Sequence, residues 1–239
     1  MSLPKVFVAM DFADQDLALD LARTLSPKYC GLKIGKELFT SCGPQLVDTF
    51  FHMGYPIFLD LKFHDIPNTV AKACQAAAKL GVSMLNVHTL GGEHMLKAAR
   101  EAIEPFSNRP KLIGVTVLTS LETQDLKRMG LPTTHDKLVT HLSGLAADSA
   151  LDGVVCSPKE CHSLKEQHGK DFLLVTPGIR LKDDERTDDQ KRVTTPQDAV
   201  HAGSDVLVIG RPITRAKDPK FVLQNILEDI RVAEALETN

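Results

Sequence analysis

The chain has 239 residues, a length that suits one domain with a large hydrophobic core. Hydrophobic residues make up 43% of it and charged residues 25%, and the formal net charge of -3 gives no indication of a nucleic-acid partner. The first apolar run stops at Asp11, too early for a signal peptide, and no apolar stretch approaches the roughly 18 residues of a membrane span. We therefore expect one domain over residues 1–239, in the cytoplasm, with no membrane partner.

Short apolar runs alternate with longer helical patterns along the chain. Strands are predicted at 5–11, 30–34, 57–62, 84–88, 112–118, 153–156, 173–176 and 206–209. Helices are predicted at 14–25, 36–53, 67–80, 92–104, 134–149, 159–167, 196–202 and 218–236. Eight β–α units in this length are typical of an α/β fold of the (β/α)8, or TIM, barrel type. A doubly wound open sheet is the competitor, but no Gly-x-Gly-x-x-Gly follows the first strand.

The third predicted strand ends in a cluster of ionisable residues, Asp60-Leu61-Lys62-Phe63-His64-Asp65. Side chains alternate along a strand, so Asp60 and Lys62 point to the same face, where charges in an apolar setting are costly unless paired. A structural ion-pair network is one interpretation of the cluster, and a catalytic site is the other. Lys33 and Asp11 at the same rim favour the catalytic one, because lysines and carboxylates at one mouth suit proton transfer beside a developing anion.

Polar residues collect where the predicted strands end, which is where barrels of this type place their active sites. They are Asp11, Lys33, Asp60, Lys62, His88, Thr119, Ser120, Pro177-Gly178-Ile179-Arg180 and Gly210-Arg211. His88 is interpreted as structural support, because a strand-end histidine is more often a hydrogen-bonded scaffold residue than a catalyst.

Gly210-Arg211 follows the eighth predicted strand, a position at which barrels often bind phosphate. Glycine permits close backbone approach and arginine offers a forked donor, so we predict a phosphate site here. Nine of the twelve residues in 181–192 are charged, which indicates a solvated loop or, alternatively, a polar lid over that phosphate. Gln190 in this loop would donate an amide hydrogen bond to it.

The five cysteines are odd in number and irregularly spaced. Cys156, Cys161 and His162 suggest a metal, but the second ligand pair of a zinc site is missing. We therefore expect free thiols and neither a metal nor a cofactor.

The most specific motif of the chain is Asp60-Leu61-Lys62-Phe63-His64-Asp65-Ile66-Pro67-Asn68-Thr69. Three more segments accompany it: Val115-Thr116-Val117-Leu118-Thr119-Ser120, Val175-Thr176-Pro177-Gly178-Ile179-Arg180 and Val208-Ile209-Gly210-Arg211-Pro212. In this order they resemble the orotidine 5'-phosphate decarboxylase family in its bacterial form, essentially end to end. The resemblance implies cofactor-independent decarboxylation of orotidine 5'-phosphate to UMP and CO2, and a homodimer with active sites at the subunit interface.

The same resemblance implies roles for individual residues. Lys33, Asp60, Lys62 and Asp65 would form an alternating charge network, with Asp65 supplied by the partner subunit, and Lys62 would protonate C6 of the pyrimidine. The implied substrate contacts are Asp11 and Lys33 for the ribose hydroxyls, Thr69 from the partner for the nucleotide, Thr119 and Ser120 for the pyrimidine, and Arg180, Gln190, Gly210 and Arg211 for the phosphate.

Two alternatives stand beside this interpretation. A metal-dependent sugar-phosphate decarboxylase or aldolase of the same barrel superfamily shares an Asp-x-Lys-x-x-Asp core. It would place additional acidic metal ligands around the first two strands, where this chain has Lys33, a cation poorly suited to a metal site. A non-catalytic nucleotide-binding barrel is the other alternative, but binding alone does not need a lysine held between carboxylates.

Overall fold

The computed structural model describes residues 3–181 and 194–237. Its strands are parallel and close a barrel in chain order, with the last strand paired to the first. They are β1 (Val6–Ala9), β2 (Gly31–Gly35), β3 (Ile57–Phe63), β4 (Met84–His88), β5 (Lys111–Val115), β6 (Gly153–Val155), β7 (Leu173–Pro177) and β8 (Val206–Ile209). The predicted TIM barrel is confirmed.

Helices connect the strands and cover the outside of the barrel. They are α1 (Gln15–Thr24), α2 (Lys36–Cys42), α3 (Pro44–His52), α4 (Pro67–Lys79), α5 (Glu93–Ile103), α6 (Thr123–Arg128), α7 (His135–Asp148), α8 (Pro158–His168), α9 (Pro196–His201), α10 (Arg211–Thr214) and α11 (Pro219–Glu237). A short 3-10 helix, Thr89–Gly91, follows β4.

The prediction of one helix over 36–53 is wrong, because the chain turns at Gly43. This residue has a φ of 70°, in the left-handed region that favours glycine, and Pro44 then starts α3 without an N–H to continue α2. Helices α6 and α10 are missing from the prediction, since six and four residues are too few to show a helical period. The fifth strand ends at Val115, so residues 116–118 lie beyond the ladder.

A small apolar cluster fills the inside of the barrel, and a larger core lies between the strands and the helices. Within the barrel, the rings of Phe7 and Phe58 meet edge to face with centroids 6.0 Å apart. Gly31, paired with Phe7, leaves room for its ring, because a Cβ there would lie 2.4 Å from Phe7 Cε1. The inner cluster comprises Phe7, Phe58, Met84, Ile113, Val175 and Val206. It forms the floor beneath the carboxyl-end mouth of the barrel.

Replacing Phe7 by alanine tests the role of this floor. Phe7 is fully buried, so Phe7→Ala should lower the free energy of unfolding by about 3–5 kcal/mol through lost burial and the cavity left behind. Phe221→Ala is the matched control: this ring is 59% exposed on α11, and its loss should change stability by no more than about 0.5 kcal/mol. Urea unfolding measures the free energy of unfolding of both variants. Equal losses would contradict a special contribution of the inner cluster to stability.

Candidate active site

Four charged side chains form a row at the carboxyl mouth of the barrel. Lys33 Nζ in β2 lies 2.7 Å from Asp11 Oδ1 and 3.9 Å from Asp60 Oδ2. Lys62 Nζ lies 2.6 Å from Asp60 Oδ1 in the same strand, β3. Carboxylate and ammonium therefore alternate from Asp11 through Lys33 and Asp60 to Lys62. The structure brings these four predicted residues together.

Asp60 is the centre of this row. Its side chain is only 15% exposed, and burial by itself would raise the pKa of its carboxyl. The ammonium groups of Lys62 and Lys33 outweigh that effect and, with hydrogen bonds from Lys62 and Asn86, hold the pKa of Asp60 below its ordinary value. The carboxylate therefore stays ionised at neutral pH, between two cations.

Asn86 in β4 fixes the geometry of the row. Its Nδ2 donates to Asp60 Oδ1 at 2.7 Å, and its Oδ1 accepts the backbone N–H of Lys62 at 2.8 Å. Asn86 is fully buried. The sequence prediction gave it no role, although a lone amide inside an apolar strand was the signal available.

The backbone of β3 is irregular where the lysine sits. Lys62 has a φ of 51°, a left-handed conformation that costs a non-glycine residue about 1–3 kcal/mol. The register against β4 also shifts between Leu59 and Phe63. The two faces nevertheless alternate as predicted: Leu59 and Phe63 pack against the outer core, whereas Asp60 and Lys62 face inward. A strained residue at this point indicates a constraint other than stability.

An inner cavity of about 200 Å³ opens beside Asp60 and Lys62. Its walls are mostly apolar, and Thr119 lies among them. The lining residues are Phe58, Asp60, Lys62, Val115, Val117, Leu118, Thr119, Val155, Cys156, Val175, Pro177 and Val208. Charges set against such a wall interact more strongly than they do in water.

The predicted phosphate residues stand at the ends of β7 and β8. A Cβ on Gly210 would lie 3.6 Å from Asp11 Oδ2, so β8 ends beside the charged row. Arg211 starts α10 with an exposed side chain, and Arg180 is partly buried, with its Nη1 donating to the carbonyl of Ile179. Gln190 lies outside the described residues.

Asp65, Thr69 and Ser120 are exposed. Asp65 Oδ1 accepts the N–H of Ile66, and within the described chain Asp65 makes no ion pair with Lys33 or Lys62. One chain therefore does not bring Asp65 into the row.

His88, at the end of β4, is close to the row. Burial, together with nearby His64, Lys36 and Lys62, lowers the pKa of His88 to about 4, so its ring is neutral at pH 7. The ring lies 5.4 Å from that of His64, and its Nδ1 is buried with no hydrogen-bond partner among the described residues. The predicted hydrogen-bonded scaffold role is therefore not confirmed at this atom.

Cys156 and Cys161 are buried free thiols, whereas His162 is exposed and pairs with Glu166 on α8. The three residues therefore do not converge. In residues 3–181 and 194–237, no group of three or more histidine, cysteine or acidic side chains is arranged to hold a metal ion.

Comparison with known proteins gives one consistent result. The model of the "Orotidine 5'-phosphate decarboxylase / HUMPS family" matches residues 4–226. A relative from Hydrogenovibrio crunogenus is 56% identical over 223 residues, which cover 93% of this chain and 94% of the relative. A relative from Chromobacterium violaceum is 57% identical over 227 residues, which cover 95% of this chain and 92% of the relative. Both are named orotidine 5'-phosphate decarboxylase.

A solved structure agrees with these relatives. The orotidine 5'-phosphate decarboxylase of Lactobacillus acidophilus superposes with a TM-score of 0.85 at 38% identity, covering 96% of this chain and 99% of that one. A barrel with this row of charges, matched over nearly its full length, belongs to the orotidine 5'-phosphate decarboxylase / HUMPS family.

Proposed function

We propose that this chain converts orotidine 5'-phosphate to UMP and CO2 without a cofactor, in pyrimidine synthesis in the cytoplasm. One observation carries the proposal: the Lys62 ammonium is held 2.6 Å from a buried carboxylate at the wall of an otherwise apolar cavity. The relatives named for this activity support the choice of substrate. No helix within the described ranges is long and apolar enough to cross a membrane.

The chemistry requires a cation beside C6 of the pyrimidine. When the bond from C6 to the carboxylate breaks, its electron pair stays on C6 in the plane of the ring, where the π system does not delocalise it. The Lys62 ammonium stabilises this pair and then transfers a proton to C6, while CO2 leaves. Lys62 recovers its proton from water. One side chain thus acts both as the electrostatic stabiliser and as the acid.

Asp60 and Lys33 prepare the lysine for this step. Asp60 accepts a hydrogen bond from Lys62 and fixes the direction of its ammonium group, and Lys33 balances the second oxygen of the same carboxylate. Such fixed charges need no rearrangement as the anion develops. Asp60 would also lie near the departing carboxylate and raise its energy by repulsion.

The substrate would bind across the mouth. Asp11 and Lys33 would bind the ribose hydroxyls, and Thr119 and Ser120 would contact the pyrimidine. Gly210 and Arg211 would hold the phosphate, together with Arg180 and with Gln190, which lies outside the described residues. The phosphate is remote from C6, so its binding energy would serve to position the ring and exclude water.

A second subunit would complete the site. Asp65 and Thr69 lie on an exposed segment next to the mouth, and Ile66 between them is 66% exposed. This segment is therefore accessible to a second copy of the chain. In a homodimer, Asp65 of each chain would extend the charged row of the other, and Thr69 would line the partner's nucleotide site.

The metal-dependent alternative would require a different arrangement of charges at the same mouth of the barrel. It needs acidic ligands open to a cation, whereas Lys33 already lies within 3.9 Å of both Asp11 and Asp60. Turnover of orotidine 5'-phosphate followed by ultraviolet absorbance, before and after EDTA treatment, separates the two. We expect UMP to form at the same rate before and after EDTA treatment. If no UMP forms and a divalent metal instead supports turnover of a sugar-phosphate acid, the metal-dependent alternative is correct.

Lys62→Ala removes the proton donor and the charge together. We expect kcat to fall at least about 10⁴-fold, because general acid catalysis and electrostatic stabilisation each supply large factors. Lys79→Ala, which removes an exposed lysine at the end of α4, is the control and should keep wild-type kcat. A Lys62→Ala protein that folds and retains near-native kcat would rule out Lys62 as the acid.

Arg211→Ala tests the phosphate site. The loss of one charge-assisted hydrogen bond should raise KM for orotidine 5'-phosphate by about 10- to 100-fold and change kcat less. Arg215→Ala deletes the same charge from the exposed end of α10 and should leave KM nearly unchanged. If the two variants have the same KM, the phosphate binds elsewhere.

Mixing two inactive variants tests the shared site. Lys62→Ala and Asp65→Ala proteins should recover activity when mixed, because each mixed dimer contains one site with Lys62 from one chain and Asp65 from the other. With random exchange at equal amounts, roughly a quarter of wild-type activity should return. Differently tagged chains verify the exchange by co-purification. Exchange without recovered activity would place Asp65 in the site of its own chain.

A further inference from the structure

One buried amide lies against the charged row without reaching the cavity. Asn86 is fully buried and is not among the residues that line the cavity beside Asp60 and Lys62. It lies in β4 two residues after Met84 of the inner cluster, so both side chains face the inside of the barrel. Because Asn86 has no direct access to a bound substrate, any effect it has on the reaction passes through the groups that it touches.

Both ends of this amide are bonded, each to a different group. The Nδ2 of Asn86 donates to Asp60 Oδ1 at 2.7 Å, and its Oδ1 accepts the backbone N–H of Lys62 at 2.8 Å. The partners fix the orientation of the amide, because an ionised carboxylate only accepts and a backbone N–H only donates. A side chain at this position therefore needs one donor and one acceptor to satisfy both neighbours.

An interruption of the sheet explains why a side chain is needed as the acceptor. Strand β3 pairs with β4 at Leu59 and again at Phe63, and the three residues between them lie opposite a single residue, Asn86. Bulges of this kind interrupt the backbone ladder and re-aim a side chain, often beside an active site. Lys62 lies inside the bulge with a φ of 51°. The Asn86 oxygen takes the place of a backbone acceptor and holds this conformation.

The same amide fixes the carboxylate that the lysine contacts. Lys62 Nζ at 2.6 Å and Asn86 Nδ2 at 2.7 Å both bind Asp60 Oδ1, whereas Lys33 lies 3.9 Å from Oδ2. The terminal torsion of an aspartate is soft, so a single contact leaves the carboxylate free to rotate. Two donors from different strands on one oxygen stop that rotation. The direction of the Lys62 ammonium therefore depends on Asn86 through its backbone and through its counter-ion.

We propose that Asn86 is a positioning residue of the reaction, which holds the Lys62 backbone and the Asp60 carboxylate together so that the ammonium points at the reacting carbon. This inference rests on the proposed function and adds to it a residue that does not touch the substrate. A misplacement of about 1 Å at a reacting group costs on the order of 100-fold in rate. The phosphate would bind at the end of β8, away from this amide, so loss of Asn86 should affect turnover more than binding.

Asn86→Ala removes both hydrogen bonds. We expect kcat to fall about 100-fold, while KM for orotidine 5'-phosphate changes by no more than about threefold. Thr89→Val is the matched control, because Thr89 is also fully buried next to the end of β4 and donates one hydrogen bond, to the carbonyl of Val115 at 2.8 Å. It should keep wild-type kcat, and circular dichroism verifies that each variant is folded. A folded Asn86→Ala protein with wild-type kcat would overturn the proposal.

Asn86→Asp separates positioning from a merely structural role. The new carboxyl keeps the shape and the acceptor but, when ionised, it repels Asp60 instead of donating to it. Two carboxyl groups this close do not ionise independently, so the pKa of the new group is raised. Once protonated, it has one donor and one acceptor, as the amide does. The ratio of its kcat to that of the wild type should therefore rise at least about fivefold as the pH falls from 9 to 5.5.

The comparison with the wild type removes the titration of groups that both proteins share. The charged and titratable groups around this position are Asp60 and Lys62 on β3, Lys33 on β2, and Lys36, His64 and His88 at the mouth, whereas β5 pairs the uncharged Ile113 with Asn86. The kcat of Asn86→Ala relative to the wild type should not depend on pH, because this variant adds no titratable group. A ratio for Asn86→Asp that is equally independent of pH would contradict the proposal.

A crystal structure of Asn86→Ala tests the positioning without using activity. We expect Lys62 to leave its left-handed conformation, or its ammonium to leave the contact with Asp60. A row with the same geometry as in the wild type would overturn the proposal, whatever the rates. If the wild type does not decarboxylate orotidine 5'-phosphate, the proposed function fails, and this structure still decides whether Asn86 holds the lysine in place.

Discussion

The row of charges around Asp60 is the interaction on which the rest of the site depends. An ionised carboxylate this buried is stable only because two ammonium groups and the Asn86 amide surround it. Removing Lys62 or Asn86 takes away one of the groups that compensate this buried carboxylate. The same Asn86 accepts the N–H of Lys62, where the backbone adopts its left-handed conformation. Asn86 in strand β4 therefore fixes both the Asp60 carboxylate and the strained backbone at Lys62.

The barrel makes such a row possible by closing on itself. Strands β2 and β3 are paired, with Lys33 beside Phe58 and Gly35 beside Asp60, so lysine and carboxylate arrive from adjacent strands. Below them the inner apolar cluster excludes water, and beside them the cavity wall is mostly apolar and includes Thr119. Electrostatic stabilisation is strongest in such surroundings. A rigid apolar frame thus concentrates the effect of a few fixed charges on one reacting atom.

The sequence predicts those parts of this arrangement that follow from the period of two along a strand and from a position at a strand end. The period of two along β3 places Asp60 and Lys62 on one face, and the strand-end position of Gly210 brings it beside Asp11. The left-handed Lys62 is not predictable, because only glycine or asparagine signals such a conformation in a sequence. The role of Asn86 depends on contacts between strands, which a one-dimensional pattern does not contain. The place of Asp65 depends on a second chain, so only the family resemblance suggested it.

A crystal structure of the dimer with UMP would test the central claim most directly. We expect Lys62 Nζ within about 3.5 Å of C6, Asp60 on the side from which the carboxylate departs, and Asp65 of the partner subunit next to Lys62. The phosphate should lie against Gly210 and Arg211. A pyrimidine bound with C6 turned away from Lys62, in a site that otherwise holds the nucleotide, would contradict the account.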